Sequence, residues 1–426
     1  MSDLGLFLIL GLLVLLAAGV PIGFTLGILA LGGLWWKDIS VFTLVQTALA
    51  GVNTESLLAV PGFILTGDLM TAGGLSRRLV RVASVLVGHL TGGLSMATVA
   101  AGTFFGAITG AAPATTAAIG AMTIDELERN GYERGYAAAL ATAIGPLGPM
   151  IPPSIPMVIW GVLSEQSIAR LFLAGVLPGL IAAAAYVAAG YWYARSRRIP
   201  LAPRADGRQI AAAFREGFWA LCAPIVILGG IYGGIVTPTE ASVVGAFYSL
   251  LIGVFVYRDL GWRDVPRVVA KSIRTTAMIM FIISMAFGYA WLIASEQIPQ
   301  MLSSWLLSVS ERPVVVLLAI NVLLLLLGCI MDNISAMVIL STVLMQLGAK
   351  IGVDPIQLGA MIVVNFSVGM VTPPVGYSLF VASSISGMRI EEISRHLWSF
   401  ILILIGVVML TAYVPAVTLA LPRLLG

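Results

Sequence analysis

Asp332 is the residue whose type and position point most directly to chemistry. It stands beside Asn333 at the junction of two apolar arms that together cover residues 313–349. Because an acid is costly inside a hydrophobic segment, such a residue indicates a functional site. Asp332 could coordinate a small cation, or it could cap the helix that begins at Asn333. The two roles are compatible, and we favour ion coordination.

A second turn of this kind is predicted within residues 82–124, which contain no Asp, Glu, Lys or Arg. The segment is too long for one span of about 20 residues. Gly110 and Pro113 near its centre release backbone groups from helical hydrogen bonds, and in lipid those groups need protein, water or an ion as partner. We therefore predict a re-entrant hairpin over residues 93–124 that turns at 108–114. Two ordinary spans with a tight loop would also fit this segment alone.

Broken helices and hydroxyl groups add further candidate ligands. An unwound helix exposes backbone carbonyls, and the C-terminal end of a half-helix carries partial negative charge, so that a small cation can bind there. Half-helix N-termini carry the opposite charge and suit a carboxylate. The candidate hydroxyl ligands are Thr109, Thr115, Ser335 and Thr372.

The two turns belong to two halves that are related by a constant offset. Pro373 lies 221 positions after Pro152. The same offset pairs Gly131 with Gly352, Gly148 with Gly369, and Ala111 with Asp332. Paired interrupted segments in corresponding positions indicate the binding site of a secondary transporter. We interpret the offset as an internal repeat rather than a chance alignment, and we expect a two-fold set of cation sites near the membrane midplane.

The candidate site residues lie on predicted membrane helices. The chain has 426 residues, of which 59% are hydrophobic and 10% charged, with a mean hydropathy of +1.02. Soluble domains carry about 25% charged residues, so the composition predicts an all-α polytopic membrane protein. The apolar length suffices for roughly a dozen spans of about 20 residues. We expect fewer true crossings, because hairpins and broken helices use part of that length.

Several function classes are disfavoured. The net charge of +3 is too small and too dispersed to suggest a nucleic-acid partner. Cys222 and Cys329 both lie in apolar runs, which predicts free thiols. No cluster of metal ligands and no Ser-His-Asp, HExxH or phosphate-loop motif is visible, so we expect neither an enzyme nor an ATP-driven pump. No basic stretch precedes the N-terminal apolar segment, which is expected to remain as a first span.

Charge also predicts the orientation in the membrane. Residues 195–215 and 258–274 are rich in Arg, and two predicted crossings, about 217–236 and 239–257, separate them. Both basic segments therefore lie on one face, and the positive-inside rule makes that face cytoplasmic. The N-terminus, which is poor in basic residues, is expected on the opposite face.

Short motifs along the chain resemble those of the large, DctM-like membrane subunit of tripartite ATP-independent periplasmic (TRAP) transporters. They run in family order and cover essentially the whole chain. The motifs are Pro61-Gly62-Phe63-Ile64-Leu65, Gly92-Gly93-Leu94, Gly106-Ala107-Ile108-Thr109-Gly110, Ile151-Pro152-Pro153-Ser154-Ile155-Pro156, Thr237-Pro238-Thr239-Glu240-Ala241 and Val371-Thr372-Pro373-Pro374-Val375-Gly376.

The resemblance implies a fold and a function. The fold is an inverted structural repeat with two re-entrant helical hairpins and two broken helices, which moves as an elevator. The implied function is Na⁺-coupled uptake of an organic acid, such as a C4-dicarboxylate or a sialic acid, across the bacterial inner membrane. A periplasmic substrate-binding protein would deliver the acid, and a small TRAP membrane subunit would pair with this chain in the lipid bilayer. Na⁺ is the coupling ion, and no cofactor is expected.

The resemblance also implies site residues. The implied Na⁺ ligands are Thr109, Gly110, Thr115, Pro149, Gly328, Asp332, Gly369, Thr372 and Val375. The residues expected to contact substrate are Thr109, Ala111, Ser154, Ser335, Thr372 and Pro373. The family's first turn usually reads Ser-Gly-Ser, whereas this chain has Thr109-Gly110-Ala111 followed by Ala112. The departure removes hydroxyl groups from that turn, while its backbone carbonyls remain.

One integral membrane domain is expected over residues 1–426. Its predicted parts are first scaffold spans over 1–80, the first hairpin with its broken helix over 82–160, scaffold spans with the basic segments over 165–300, the second hairpin with its broken helix over 313–385, and a C-terminal span over 396–426. The alternative function is a stand-alone ion-coupled symporter or antiporter of another hairpin-containing family. An intramembrane enzyme and a structural scaffold are two further classes that the sequence disfavours.

Overall fold

The computed structural model describes residues 3–309, 312–329, 331–373 and 376–425, and in this part of the chain every regular element is helical. The first half contains α1 (Asp3–Ala17), α2 (Ile22–Trp36), α3 (Phe42–Val52), α4 (Ala59–Ala72), α5 (Leu75–Val87), α6 (Gly93–Thr109), α7 (Ala112–Arg129), α8 (Arg134–Ile144), α9 (Leu147–Met150), α10 (Ile155–Ser164) and α11 (Ile168–Arg197). The second half contains α12 (Gly207–Tyr232), α13 (Pro238–Leu251), α14 (Val265–Ser295), α15 (Ile298–Val309), α16 (Pro313–Gly328), α17 (Asn333–Lys350), α18 (Pro355–Gly369), α19 (Tyr377–Ser386), α20 (Ile390–Tyr413) and α21 (Pro415–Leu425).

The helices of the two halves correspond at the offset read from the sequence. Helix α7 and helix α17 begin 221 residues apart and also end 221 residues apart, and so do the first residues of α8 and α18. Helices α10 and α11 correspond in the same way to α19 and α20, within one or two residues at their first positions. The internal repeat predicted from a few glycines and prolines is therefore confirmed by the helix boundaries.

Both predicted hairpins are present. Helices α6 and α7 are joined by Gly110 and Ala111, inside the turn predicted at 108–114. Gly110 has φ +60, a left-handed conformation that glycine adopts without strain. Pro113 lies in the first turn of α7, where its missing N–H would have no helical partner. In the second half, α16 and α17 meet at the segment that contains Asp332.

The two hairpins open toward opposite faces of the membrane. Glu133, at the base of the first hairpin, pairs with Arg197 of the basic segment 195–215, with 2.9 Å between Arg197 Nη1 and Glu133 Oε1. Helix α20 starts at this face and runs for 24 residues, or about 36 Å. At its far end the Tyr413 hydroxyl donates to the Val314 carbonyl (3.0 Å), at the base of the second hairpin. The repeats are thus inverted, as predicted.

The two repeats interlock around the breaks. Helix α10 packs against α17 of the other repeat, and α19 packs against α7. In the same symmetric way, α11 packs against α18 and α20 against α8. Helices α11 and α20 lie outside the ranges predicted for the hairpin units, yet they contact those units closely.

An outer group of helices surrounds one side of this central body. Helix α14 packs against α2, α3 and α4, while α13 packs against α4 and α12 against α5. Within the described residues, seven helices are long and apolar enough to cross a membrane, or eight if Phe42–Val52 and Glu55–Ala72, bent by 67°, count as one span. The shorter apolar helices include α6, α16 and α18, which belong to hairpins and breaks.

The two basic segments, 195–215 and 258–274, are partly helical rather than entirely loop. Helix α11 extends to Arg197 and α12 begins at Gly207, so Arg208 and Arg215 are helical. Likewise α14 begins at Val265, so Arg267, Lys271 and Arg274 are helical. The helix ends predicted from the apolar runs were therefore wrong. An apolar run marks only the part of a helix that lies inside lipid, whereas the backbone hydrogen bonds of the helix continue into water.

Candidate functional site

The tip of the first hairpin is a buried, hydrogen-bonded turn. The Thr109 and Thr115 hydroxyls lie 2.9 Å apart, and the Thr115 hydroxyl also donates to the Ala111 carbonyl at 3.0 Å. Both threonines are almost fully buried. Three of the predicted site positions are therefore joined in one network.

This tip packs directly onto the first helix break. A β-carbon placed on Gly110 would lie 2.6 Å from the Pro153 carbonyl oxygen and 3.3 Å from the Ser154 Cα. The break itself contains the cis bond between Pro152 and Pro153. The Ser154 hydroxyl donates to the Pro149 carbonyl (2.5 Å) and caps α10 by accepting from Met157 N. The structure thus brings Pro149 and Ser154 close to the hairpin tip.

Oxygen atoms gather where α8 ends and α9 begins. A β-carbon placed on Gly145 would lie 2.4 Å from Thr116 Oγ1 and 3.0 Å from both the Ala112 carbonyl oxygen and Ser378 Oγ. One turn later, a β-carbon on Gly148 would lie 2.9 Å from Thr115 Oγ1 and 3.1 Å from the Ala111 carbonyl oxygen. We call these atoms the oxygen cluster; its members are the carbonyls of Ala111 and Ala112 and the hydroxyls of Thr115, Thr116 and Ser378.

Two hydroxyls of the oxygen cluster lack a partner. Thr116 Oγ1 and Ser378 Oγ are buried and make no hydrogen bond within the described part of the protein. Leaving a buried polar group unsatisfied costs about 1–3 kcal/mol. A hard cation is bound by oxygen atoms of this kind, so the arrangement fits a small ion without any charged ligand.

The second hairpin tip is arranged around Asp332. Its carboxylate accepts hydrogen bonds from the Ser335 backbone N–H (3.1 Å) and the Ser335 hydroxyl (2.6 Å). Asp332 therefore caps α17, which is one of the two roles weighed from the sequence. Ser335 is buried and its hydroxyl is taken by this carboxylate.

The second break lies close to the arm of its own hairpin. A β-carbon placed on Gly369 would lie 2.6 Å from the Gly328 carbonyl oxygen, so glycine is required for this approach. The Thr372 hydroxyl donates to the Val368 carbonyl at 2.8 Å. Gly328, Gly369 and Thr372 are thus at one end of α18, with Pro373 following in the turn. Val375 lies outside the described residues.

Amide side chains near the second break have unused acceptors. The Asn333 amide nitrogen donates to the Met370 sulfur (3.3 Å), while its oxygen is buried and makes no hydrogen bond to any residue that the structure describes. The Asn365 amide donates to the Asn321 oxygen (2.8 Å), and the Asn365 oxygen is likewise unpartnered among the described residues. These oxygens could coordinate a cation or accept a hydrogen bond from a water.

Several of these polar groups were missed at the sequence level. Thr116 could have been predicted, because it directly follows Thr115 and because Gly145-Pro146 marks the helix break beside it. Ser378 gave no such signal, because the corresponding residue of the first repeat is Met157. Asn365 lies inside an apolar run and reads as an ordinary core position.

Comparison with known proteins shows that this chain is similar to one family of membrane proteins. The family "Tripartite ATP-independent periplasmic transporter, DctM component" matches residues 9–417. A C4-dicarboxylate TRAP transporter large permease protein, DctM, of Pseudomonas aeruginosa is 41% identical over 87% of each chain. The sialic acid TRAP transporter large permease protein SiaM of Vibrio cholerae is 36% identical over 98% of each chain.

One relative is longer than this chain. The isethionate TRAP transporter permease protein DctMQ of Oleidesulfovibrio alaskensis is 40% identical over 94% of this chain, which spans 64% of that protein's length.

Solved structures share the fold at low sequence identity. The Alcanivorax borkumensis YdaH transporter, described as having an unusual topology, matches with a TM-score of 0.68 at 16% identity over 99% of both chains. Neisseria gonorrhoeae MtrF matches with a TM-score of 0.55 at 13% identity over 88% of this chain and 83% of its own. The family model and the curated relatives confirm the resemblance read from the short motifs: this chain belongs to the DctM family, the large permease component of TRAP transporters.

Proposed function

We propose that this permease couples Na⁺ to the uptake of an organic acid. The observation that carries the proposal is the oxygen cluster, with its two buried and unpartnered hydroxyls, Thr116 and Ser378. Na⁺ is a small hard cation that takes neutral oxygen ligands, and half-helix C-termini add partial negative charge. The unpartnered oxygens of Asn333 and Asn365 support a second ion near the other break.

The transported anion would bind between the two breaks. Relatives carry the names C4-dicarboxylate, sialic acid and isethionate permease, and we infer an acid of this kind for the present chain. Helices α10 and α19 each begin at a break, and their N-terminal ends favour negative charge. Ala111 and Ala112 offer no side-chain hydroxyl at the first tip, so contacts there would come from the backbone.

The complete transporter would have further parts. The family is described as one component of a tripartite periplasmic transporter. We therefore propose a small membrane subunit and a periplasmic substrate-binding protein as partners, with all membrane parts in the bacterial inner membrane.

An elevator motion would carry the site across the membrane. The proposed moving body comprises α6–α11 and α16–α20, whose helices interlock across the repeat, and the proposed frame comprises α1–α5 and α12–α15. A cavity of about 380 Å³ separates the two groups on the face opposite the basic segments. Its walls are Glu55, Ser56 and Thr237–Thr239 on one side and Gln166–Ala169 on the other.

Thr116→Val tests the Na⁺ site, because valine keeps the shape and removes the hydroxyl. We expect the Na⁺ concentration for half-maximal thermal stabilisation of the purified permease to rise by about tenfold, equivalent to about 1.4 kcal/mol. The matched control is Thr123→Val on the same helix, where the hydroxyl donates to Ile119 (2.8 Å) away from the cluster. An unchanged Na⁺ dependence in Thr116→Val would contradict the assignment of a Na⁺ site to the oxygen cluster.

Uptake into proteoliposomes separates the main proposal from its alternative. With a substrate-binding protein added, uptake should require both that protein and a Na⁺ gradient. Equal uptake without the binding protein would instead support the stand-alone symporter or antiporter.

A further inference from the structure

A groove at the cytoplasmic ends of α11 and α20 has no role in the site described above. It encloses about 410 Å³. Its walls are formed by Ala189, Trp192 and Tyr193 of α11, by Arg395, His396, Ser399 and Phe400 of α20, and by Tyr136 of α8. We call it the interfacial groove.

The interfacial groove lies where the headgroups of the inner leaflet would be. Trp192 is one turn before Arg195–Arg198, at the end of α11 that carries the basic residues. Trp192 is 72% exposed and Trp398 of α20 is 54% exposed. Tryptophan is enriched at the membrane interface because its ring is apolar and its N–H is polar.

Charge in the groove is unbalanced. Arg395 is exposed and makes no ion pair or hydrogen bond within the described residues. At the groove's edge, the Glu133 carboxylate pairs with Arg197 (2.9 Å) and faces His396 Nε2 at 3.7 Å, while Glu392 of α20 accepts from the Arg389 N–H (3.3 Å). Glu391 lies one helical turn from Arg395 on the same helix but makes no ion pair with it. A planar guanidinium without a partner suits a phosphate ester.

An apolar surface continues from the groove toward the membrane centre. The exposed positions of α11 there are Ala184 and Ala188, and those of α20 are Leu402 and Gly406. A β-carbon on Gly406 would meet no atom within 4 Å, so this surface is open. Small residues flanking a polar groove leave room for an acyl chain below a headgroup.

We propose that the interfacial groove binds the phosphate headgroup of an anionic phospholipid from the inner leaflet. Arg395 pairs with the phosphate, Trp192 and Tyr193 flank the headgroup, and an acyl chain lies along Ala188 and Leu402. The bound lipid bridges α11 and α20, which belong to different repeats and each pack against the broken helix of the other. The proposal is independent of the Na⁺ site.

Lipid retention measured by native mass spectrometry tests this site. The full chain is titrated with phosphatidylglycerol, and with phosphatidylcholine as the zwitterionic comparison. We expect Arg395→Gln to weaken the tightest phosphatidylglycerol binding by about tenfold, because a charge-assisted hydrogen bond is lost. Arg395→Lys should retain an intermediate affinity, since the charge remains without the fork geometry.

The matched control is Arg198→Gln, which removes an exposed arginine at the same end of α11 but outside the groove. It should bind phosphatidylglycerol as the wild type does. Equal binding by wild type and Arg395→Gln, with both proteins monodisperse, would overturn the proposal. So would displacement of the lipid by millimolar inorganic phosphate, because the site would then recognise free phosphate.

Discussion

The hydroxyls of Thr115 and Thr116, which lie beside the first break, differ in their hydrogen bonding. Thr115 is engaged with Thr109 and with the Ala111 carbonyl, so its side chain holds the hairpin tip closed. Thr116, one residue later, is buried with an unused hydroxyl beside Gly145. The first residue maintains the geometry, and the second is available to a ligand.

Asp332 combines a cap with a candidate ion ligand, and Asp332→Asn separates the two roles. Asparagine caps a helix about as well as aspartate, so thermal stability without Na⁺ should change by less than about 1 kcal/mol. If the carboxylate also favours the bound cation, half-maximal Na⁺-dependent uptake should shift to higher Na⁺ by several-fold.

The matched control for Asp332→Asn is Asp354→Asn, which replaces the cap of α18 at the base of the hairpin. It should leave the Na⁺ dependence unchanged. An Asp332→Asn transporter with wild-type Na⁺ dependence would restrict Asp332 to capping.

At the scale of elements, Arg134 fastens the first broken helix to the second. Its Nε and Nη2 atoms each donate to the Ser386 carbonyl at the end of α19 (3.0 Å), and Nη1 donates to Asp125 of α7 (3.0 Å). Nη1 also donates to the Glu128 carboxylate of α7. One side chain thus joins three helices from both repeats.

Arg134→Lys should loosen this junction. Lysine keeps the charge but cannot place two donors on the Ser386 carbonyl while reaching α7, so we expect a loss of about 1–2 kcal/mol. Thermal unfolding of the purified permease measures it. Arg129→Lys, at an exposed position in the last turn of α7, is the control and should unfold as the wild type does. Equal unfolding temperatures for the two variants would show that the Arg134 hydrogen bonds do not stabilise this contact between helices.

At the scale of the whole molecule, the contact between the proposed frame and the moving body is close. A β-carbon placed on Gly67 of α4 would lie 3.2 Å from the Thr109 Cα in the first hairpin tip. A frame helix therefore passes the tip with no side chain between them. An elevator motion would require this surface to stay smooth.

Gly67→Leu should obstruct the motion without removing the ion site. We expect uptake to fall by at least about tenfold, whereas the Na⁺ concentration for half-maximal thermal stabilisation stays near the wild-type value. Gly229→Leu is the control, because no atom lies within 4 Å of a β-carbon there. Full uptake by a stably folded Gly67→Leu permease would argue against sliding at this contact.

The membrane class, the two hairpin turns and the repeat could be predicted from the amino-acid sequence. Those features follow from composition and from local backbone chemistry: Gly110 permits a left-handed turn, Pro113 starts a helix, and Asp332 caps one. The Thr237–Glu240 capping box at the start of α13 is local in the same way, because its two partners are three residues apart.

Which oxygen atoms lie together depends on the packing of helices that are distant in sequence. Ser378 comes to Thr116 because α19 of one repeat packs against α7 of the other, and no local pattern encodes that contact. The same holds for α11 and α20, which read as separate spans but pack on the broken helices. Helix formation depends on neighbours in sequence, whereas the choice of packing partner depends on surfaces that are distant in sequence and meet only in the folded protein.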